Sequence, residues 1–179
     1  KIFSNNSTLI LGEKFTEDAI KALDFTKFQY ISFATHAVTA NQISGISEPG
    51  LILTPPNQST KQNDGILSSS EIEKLNLNSD IIILSACNTA SQDGTPNGEG
   101  LSGLTSSFFQ AGTKSMLVTH WDVETNSASR LTTETFKNLK RNKNLKKALQ
   151  QTKISMMNHP STSHPFFWAP FVLIGNLNF

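Results

Sequence analysis

The chain has 179 residues, 37% of them hydrophobic and 16% charged, which is enough apolar surface for one compact domain and excludes a disordered polymer. Its 15 basic and 14 acidic residues leave a net charge of +1, which excludes the uniformly basic field of a general nucleic-acid binder. No apolar run approaches the ~20 residues of a membrane span.

The start, Lys1-Ile2-Phe3-Ser4, has neither an initiator Met nor the long apolar stretch of a signal peptide, so the chain is expected to be a piece of a longer protein. Cys87 is the only cysteine. One thiol forms no internal disulfide and builds no zinc site alone, so a reducing compartment, the cytoplasm, is expected, and no metal.

Short apolar runs alternate with amphipathic stretches, the pattern of an α/β domain with a mostly parallel sheet. In chain order, residues 8–11 predict a short strand, and Thr16 caps a helix running to about Leu23. Residues 28–34, rich in aromatic and β-branched side chains, predict a strand. Residues 35–50 read as a polar loop, and residues 51–53 as a short strand broken by Pro55-Pro56. Ser68, Ser69 and Ser70 offer caps for a short helix through Leu75. Residues 80–85 form a continuous apolar run of strand length, as expected of an interior strand covered on both faces. Residues 88–98 are a loop. Leu101, Leu104, Phe108 and Ala111 recur at helical spacing, with Gly112 as the stop. A strand at 114–119, helices at 126–139 and 145–157, and a last strand at 171–174 ended by Gly175 complete the order. Lys137, Lys140, Arg141, Lys143, Lys146 and Lys147 gather where the first of those helices ends and the second starts, and read as a solvated surface.

His36 and Cys87 stand in matching places, each just past a predicted strand. In open α/β sheets the functional crevice lies beyond the carboxyl ends of the strands. Adjacent strands lie about 4.8 Å apart, so if these two pair in parallel, an imidazole and a thiol emerge side by side. A free thiol has a pKa near ~8.5; a neighbouring imidazole lowers it and carries the proton, and the thiolate can then attack a carbonyl. Backbone N–H groups would hold the resulting oxyanion, with Cys87 and the loop just after His36 as the sources. Position alone does not choose between His36 and His120, which also follows a predicted strand. A lone cysteine is, moreover, commonly a buried small hydrophobe. His159 and His164 fall in a Pro-rich loop.

Longer patterns carry a resemblance. Phe33-Ala34-Thr35-His36 resembles "FATHG", and Leu84-Ser85-Ala86-Cys87-Asn88-Thr89 resembles "LSAC-x-T". Asp64-Gly65-Ile66-Leu67 with Glu71-Ile72 resembles "DG-x-L…EI". Gly98-Glu99-Gly100-Leu101 with Phe109, Ala111 and Gly112 resembles "GEG…F…AG", and Trp121 with Val123 resembles "W-x-V". His164-Pro165, Phe167-Trp168-Ala169-Pro170-Phe171 and Ile174-Gly175 resemble "HP-x-[YF]-WA-x-F-x-L-x-G". These are motifs of the CHAT domain family, caspase-like domains usually attached to tetratricopeptide repeats. They run in family order over nearly the whole chain.

The resemblance implies one caspase-like domain over residues 1–179, a three-layer α/β/α sandwich forming the C-terminal part of a longer protein. It implies a cysteine endopeptidase with a His–Cys dyad, an acyl-enzyme and no cofactor. His36 is then the base and Cys87 the nucleophile, with Ala37 and Cys87 at the oxyanion hole. Ser85, His120, Trp121 and Asp122 fall about the substrate. The family usually has Gly where this chain has Ala37, and alanine fits there only if φ is negative. In related proteases the residue two before the nucleophile lines the pocket for the residue preceding the scissile bond. Here it is the neutral Ser85, so a basic substrate residue would need Asp122, Glu99 or Asp93. Trp168 reads as core, and Trp121 as either core or groove wall. The implied partners are a protein or peptide substrate and regulatory segments of the same longer chain, tetratricopeptide repeats or others, with no nucleic acid and no membrane. The rivals are a non-catalytic caspase-like scaffold and a hydrolase or transferase of another kind using Cys87.

Overall fold

The computed structural model of the protein describes residues 7–60, 62–85, 99–121 and 123–177, without the side chains of 99–102. Among them the strands are β1 Tyr30–Phe33, β2 Ala37–Val38, β3 Gly50–Ile52, β4 Ile66–Ser68, β5 Ile81–Leu84, β6 Ser115–Thr119 and β7 Phe171–Gly175. The helices are α1 Glu17–Lys21, α2 Ser69–Ile72, α3 Glu99–Gln110, α4 Thr125–Asn142 and α5 Leu145–Met157.

The main sheet has the order β1-β5-β6-β7. β1, β5 and β6 run parallel, and β7 closes antiparallel against β6. The unbroken Ile81-Ile82-Ile83-Leu84 run is buried at every position. A period of two divides it between two cores, because successive strand side chains point to opposite faces. Ile82 and Leu84 join Phe33, Met116, Val118, Leu104 and Phe108 on the face covered by α1, α2 and α3. Ile81 and Ile83 join Leu117, Leu131, Phe136, Leu149 and Phe171 on the face covered by α4 and α5. Helices on both faces of a mostly parallel sheet make the three-layer α/β fold that the sequence predicts.

Helix ends obey local chemistry. The Thr16 hydroxyl accepts the Ala19 N–H at 3.3 Å to start α1. Glu71 reaches back to the Ser68 N–H at 3.0 Å and starts α2. After α3, Gly112 turns at φ +109°, and a Cβ there would stand 2.2 Å from the Leu77 carbonyl oxygen. That close approach explains the glycine that closes the helix motif.

Three elements differ from the sequence expectation. Residues 8–11 form no strand. Leu9 and Leu11 are 78% and 66% exposed, and only Ile10 between them packs against the core. Inside the predicted loop 35–50, Ala37–Val38 pairs antiparallel with Gly50–Leu51. β4 then adds to β3, giving a second, three-stranded sheet. Strands of two and three residues are too short to show a period. The predicted loop 88–98 lies outside the described residues.

The "DG-x-L…EI" segment is explained by this small sheet. The fully buried Glu17 carboxylate of α1 accepts the Asp64 and Gly65 N–H groups at 2.6 Å each. Lys21 donates to Glu17 at 2.8 Å and to Glu71 at 2.7 Å. Leu67 and Ile72 carry the segment into the core at 0% exposure. α1, β4 and α2 are thereby tied into one unit.

Candidate active site

Four in-register pairs join β1 and β5, the last being Phe33 with Leu84. The Ser85 N–H continues the ladder, donating to the Phe33 carbonyl at 3.0 Å. His36 lies three residues beyond Phe33, and Cys87 three residues beyond Leu84. Cys87 itself, with Asp93 and Asp122, lies outside the described residues.

β3 fixes the backbone around His36. The Thr35 hydroxyl donates to the Ile52 carbonyl at 2.5 Å, and the Ile52 N–H donates to the His36 carbonyl at 2.8 Å. The second bond makes Ala37 and Leu51 a non-hydrogen-bonded pair, so the Ala37 N–H points away from β3. Among the described non-glycine residues only Asn41 and Lys143 have positive φ. Ala37 therefore meets the condition set for it, and its methyl group carries no backbone strain. The His36 side chain is exposed.

His36 opens onto a cleft of about 390 Å³. Ser32, Ala34, Thr35 and Ser85 form its sheet side. Thr125, Ala128, Ser129, Thr132 and Thr133 form the opposite wall on α4, with Val123 just before the helix. Glu124 holds the start of that wall, its carboxylate accepting the Asn126 N–H at 3.0 Å and the Ser127 N–H at 2.9 Å. These bonds pull the Glu124 carboxyl below its ordinary range. The α4 wall is absent from the sequence expectation. Its signal is a run of small residues at positions 125, 128, 129, 132 and 133, one face at helical spacing.

His36 and Ser85 thus border one cleft with Ala37 beside them, while His120 and Trp121 do not line it. The His120 N–H donates to the Pro170 carbonyl at 3.1 Å. Trp121 is 37% exposed, and its indole N–H donates to the Phe166 carbonyl at 3.2 Å. Both residues tie the end of β6 to the closing loop. Val123, the other half of the Trp motif, is buried and lines the cleft. Trp168 packs against the α4–α5 core, as the sequence predicts. Glu99 begins α3. Among the described residues no cluster of three His, Cys, Asp or Glu side chains could hold a metal ion, and no helix is long and apolar enough to cross a membrane.

A search of curated proteins finds no match to this chain. The family profile of the CHAT domain matches residues 1–176. The match spans both strand-end motifs and both cores, and the chain belongs to the caspase-like CHAT domain family.

Proposed function

We propose that the chain is a single cysteine endopeptidase domain in which His36 activates Cys87 for attack on a peptide carbonyl. The observation that carries this is the parallel, in-register pairing of β1 and β5, with the two residues at the same distance beyond the last pair. Ser85 is bonded to β1, and two peptide units of about 3.8 Å each limit how far residue 87 departs from it. The imidazole takes the thiol proton, the thiolate adds to the carbonyl carbon, and the proton passes to the departing amine. Water then releases the acyl group from sulfur. The outward Ala37 N–H supports its assignment to the oxyanion, with the Cys87 N–H as the second donor.

The cleft beside Ser85 is assigned to the substrate side chain before the scissile bond. Among the described lining residues there is no carboxylate, only His36 and small uncharged groups. Ser85, His120, Trp121 and Asp122 are kept as the substrate-side set, with Ser85 lining the cleft and His120 and Trp121 bonded to the closing loop.

The test compares cleavage of a peptide library by the wild type, Cys87→Ala and His36→Ala, together with iodoacetamide alkylation of Cys87. Loss of the base is expected to lower cleavage by about 10²–10⁴-fold and to slow alkylation at neutral pH. Equal alkylation rates with no cleavage would assign the domain to the scaffold class instead.

A further inference from the structure

We propose that the turn joining α4 to α5 is a docking surface for an acidic protein segment, at the pole opposite the cleft. No Asp or Glu follows Glu134, whereas the same stretch carries seven Lys and Arg residues. The first 134 residues hold the other eight cations and all 14 carboxylates. The net charge of +1 therefore conceals a strongly divided molecule. Six of the seven late cations, Lys137, Lys140, Arg141, Lys143, Lys146 and Lys147, are exposed on this one tip.

Folding explains only some of them. Lys140 and Arg141 suit the negative end of α4, and Lys137 pairs with Glu134 at 2.7 Å. Lys146 and Lys147 stand in the first turn of α5, where the helix dipole favours acids and there are none. Lys143 adds a further charge between the two helices. The carboxylate at the same end of the sheet, Asp80, is already paired with Lys114 at 2.7 Å.

The tip is also preorganised. The Lys143 N–H donates to the Leu139 carbonyl at 2.8 Å, and Asn144 caps α5 through the Lys147 N–H at 2.9 Å. Asn142 donates to Gln151 at 2.6 Å and Asn138 to Thr152 at 3.1 Å, which cross-links the helices. A ligand meets cations whose backbone is already fixed.

The chemistry favours a short acidic protein segment over nucleic acid. The cations cover only the end of one helix and the first turn of the next. A long polyanion would run off them onto the carboxylate-rich remainder and be repelled. No aromatic residue occurs between Lys137 and Lys147 to stack a base.

The test titrates the 179-residue chain with a fluorescein-labelled peptide of alternating Glu and Ser, beside oligothymidylate of equal charge and phosphatidylglycerol vesicles. The triple variant Lys143→Glu, Lys146→Glu, Lys147→Glu is expected to bind the peptide at least about tenfold more weakly. The same three residues changed to Gln give the loss without charge reversal, with an unchanged circular dichroism spectrum. A control with the same charge change, Lys14→Glu, Lys27→Glu, Lys74→Glu, is expected to lose less than about threefold. Equal losses in the tip and control variants, tighter binding of oligothymidylate or vesicles, or no peptide binding by the wild type would each overturn the proposal.

Discussion

Ala37 is the one position where this chain departs from its family in the motif around His36. Glycine is required where φ is positive or where another backbone approaches closely, and neither holds here, since Ala37 sits in β2 opposite Leu51. Ala37→Gly is therefore expected to leave peptide cleavage within about twofold and to cost about 0.5–1 kcal/mol through added unfolded-chain entropy. Urea unfolding measures the second and a fluorogenic peptide the first. A large gain in turnover would show that the methyl group obstructs the oxyanion after all.

At the scale of elements, β1 and β5 were legible and the small sheet was not. Residues 80–85 announce a doubly covered strand because every side chain is apolar, and β5 is buried throughout. β2 and β4 left no periodic trace, and their stability comes from partners far along the chain. The same holds for the cleft. The position of His36 at a strand end could be read directly, whereas the α4 wall consists of small residues that look like ordinary helix surface until the sheet stands opposite. Distant partners also decide what holds α1. Glu17→Ala would strand two backbone N–H groups and remove a carboxylate from Lys21, a loss of about 2–4 kcal/mol. Hydrogen exchange should show it first at Asp64 and Gly65. A change confined to α1 would mean that the turn at Asp64 and Gly65 does not depend on Glu17.

For the whole molecule, the titrating groups set a pH window. The Ser70 N–H holds Glu48 below its ordinary 4.5 against a smaller effect of burial. At Glu71 burial pushes upward, but Lys21 and the Ser68 N–H and hydroxyl outweigh it and the carboxyl is lowered. The stability these depressed carboxyls add is complete above 4.5 and is lost as pH falls through their folded values. Lys21 behaves oppositely. Burial pushes it down, but bonds to Glu17 and Glu71 raise it above 10.5. Its contribution is complete below 10.5 and is lost as pH rises through the higher folded value. Urea midpoints should thus be flat between these limits as far as these groups decide, and fall on the acid side. Glu71→Gln should flatten that acid limb, and a midpoint that climbs below pH 4.5 would contradict the assignment.

The reversal of β7 has a practical corollary. Phe171 pairs with Thr119 near the cleft end of the sheet, and Gly175 pairs with Ser115 at the other end. Residue 176 therefore points toward the half of the molecule that carries the α4–α5 turn. A purification handle rich in carboxylates, if fused after residue 179, would compete for those cations while leaving His36 untouched. Ligand measurements are better made with the handle removed or with an uncharged one.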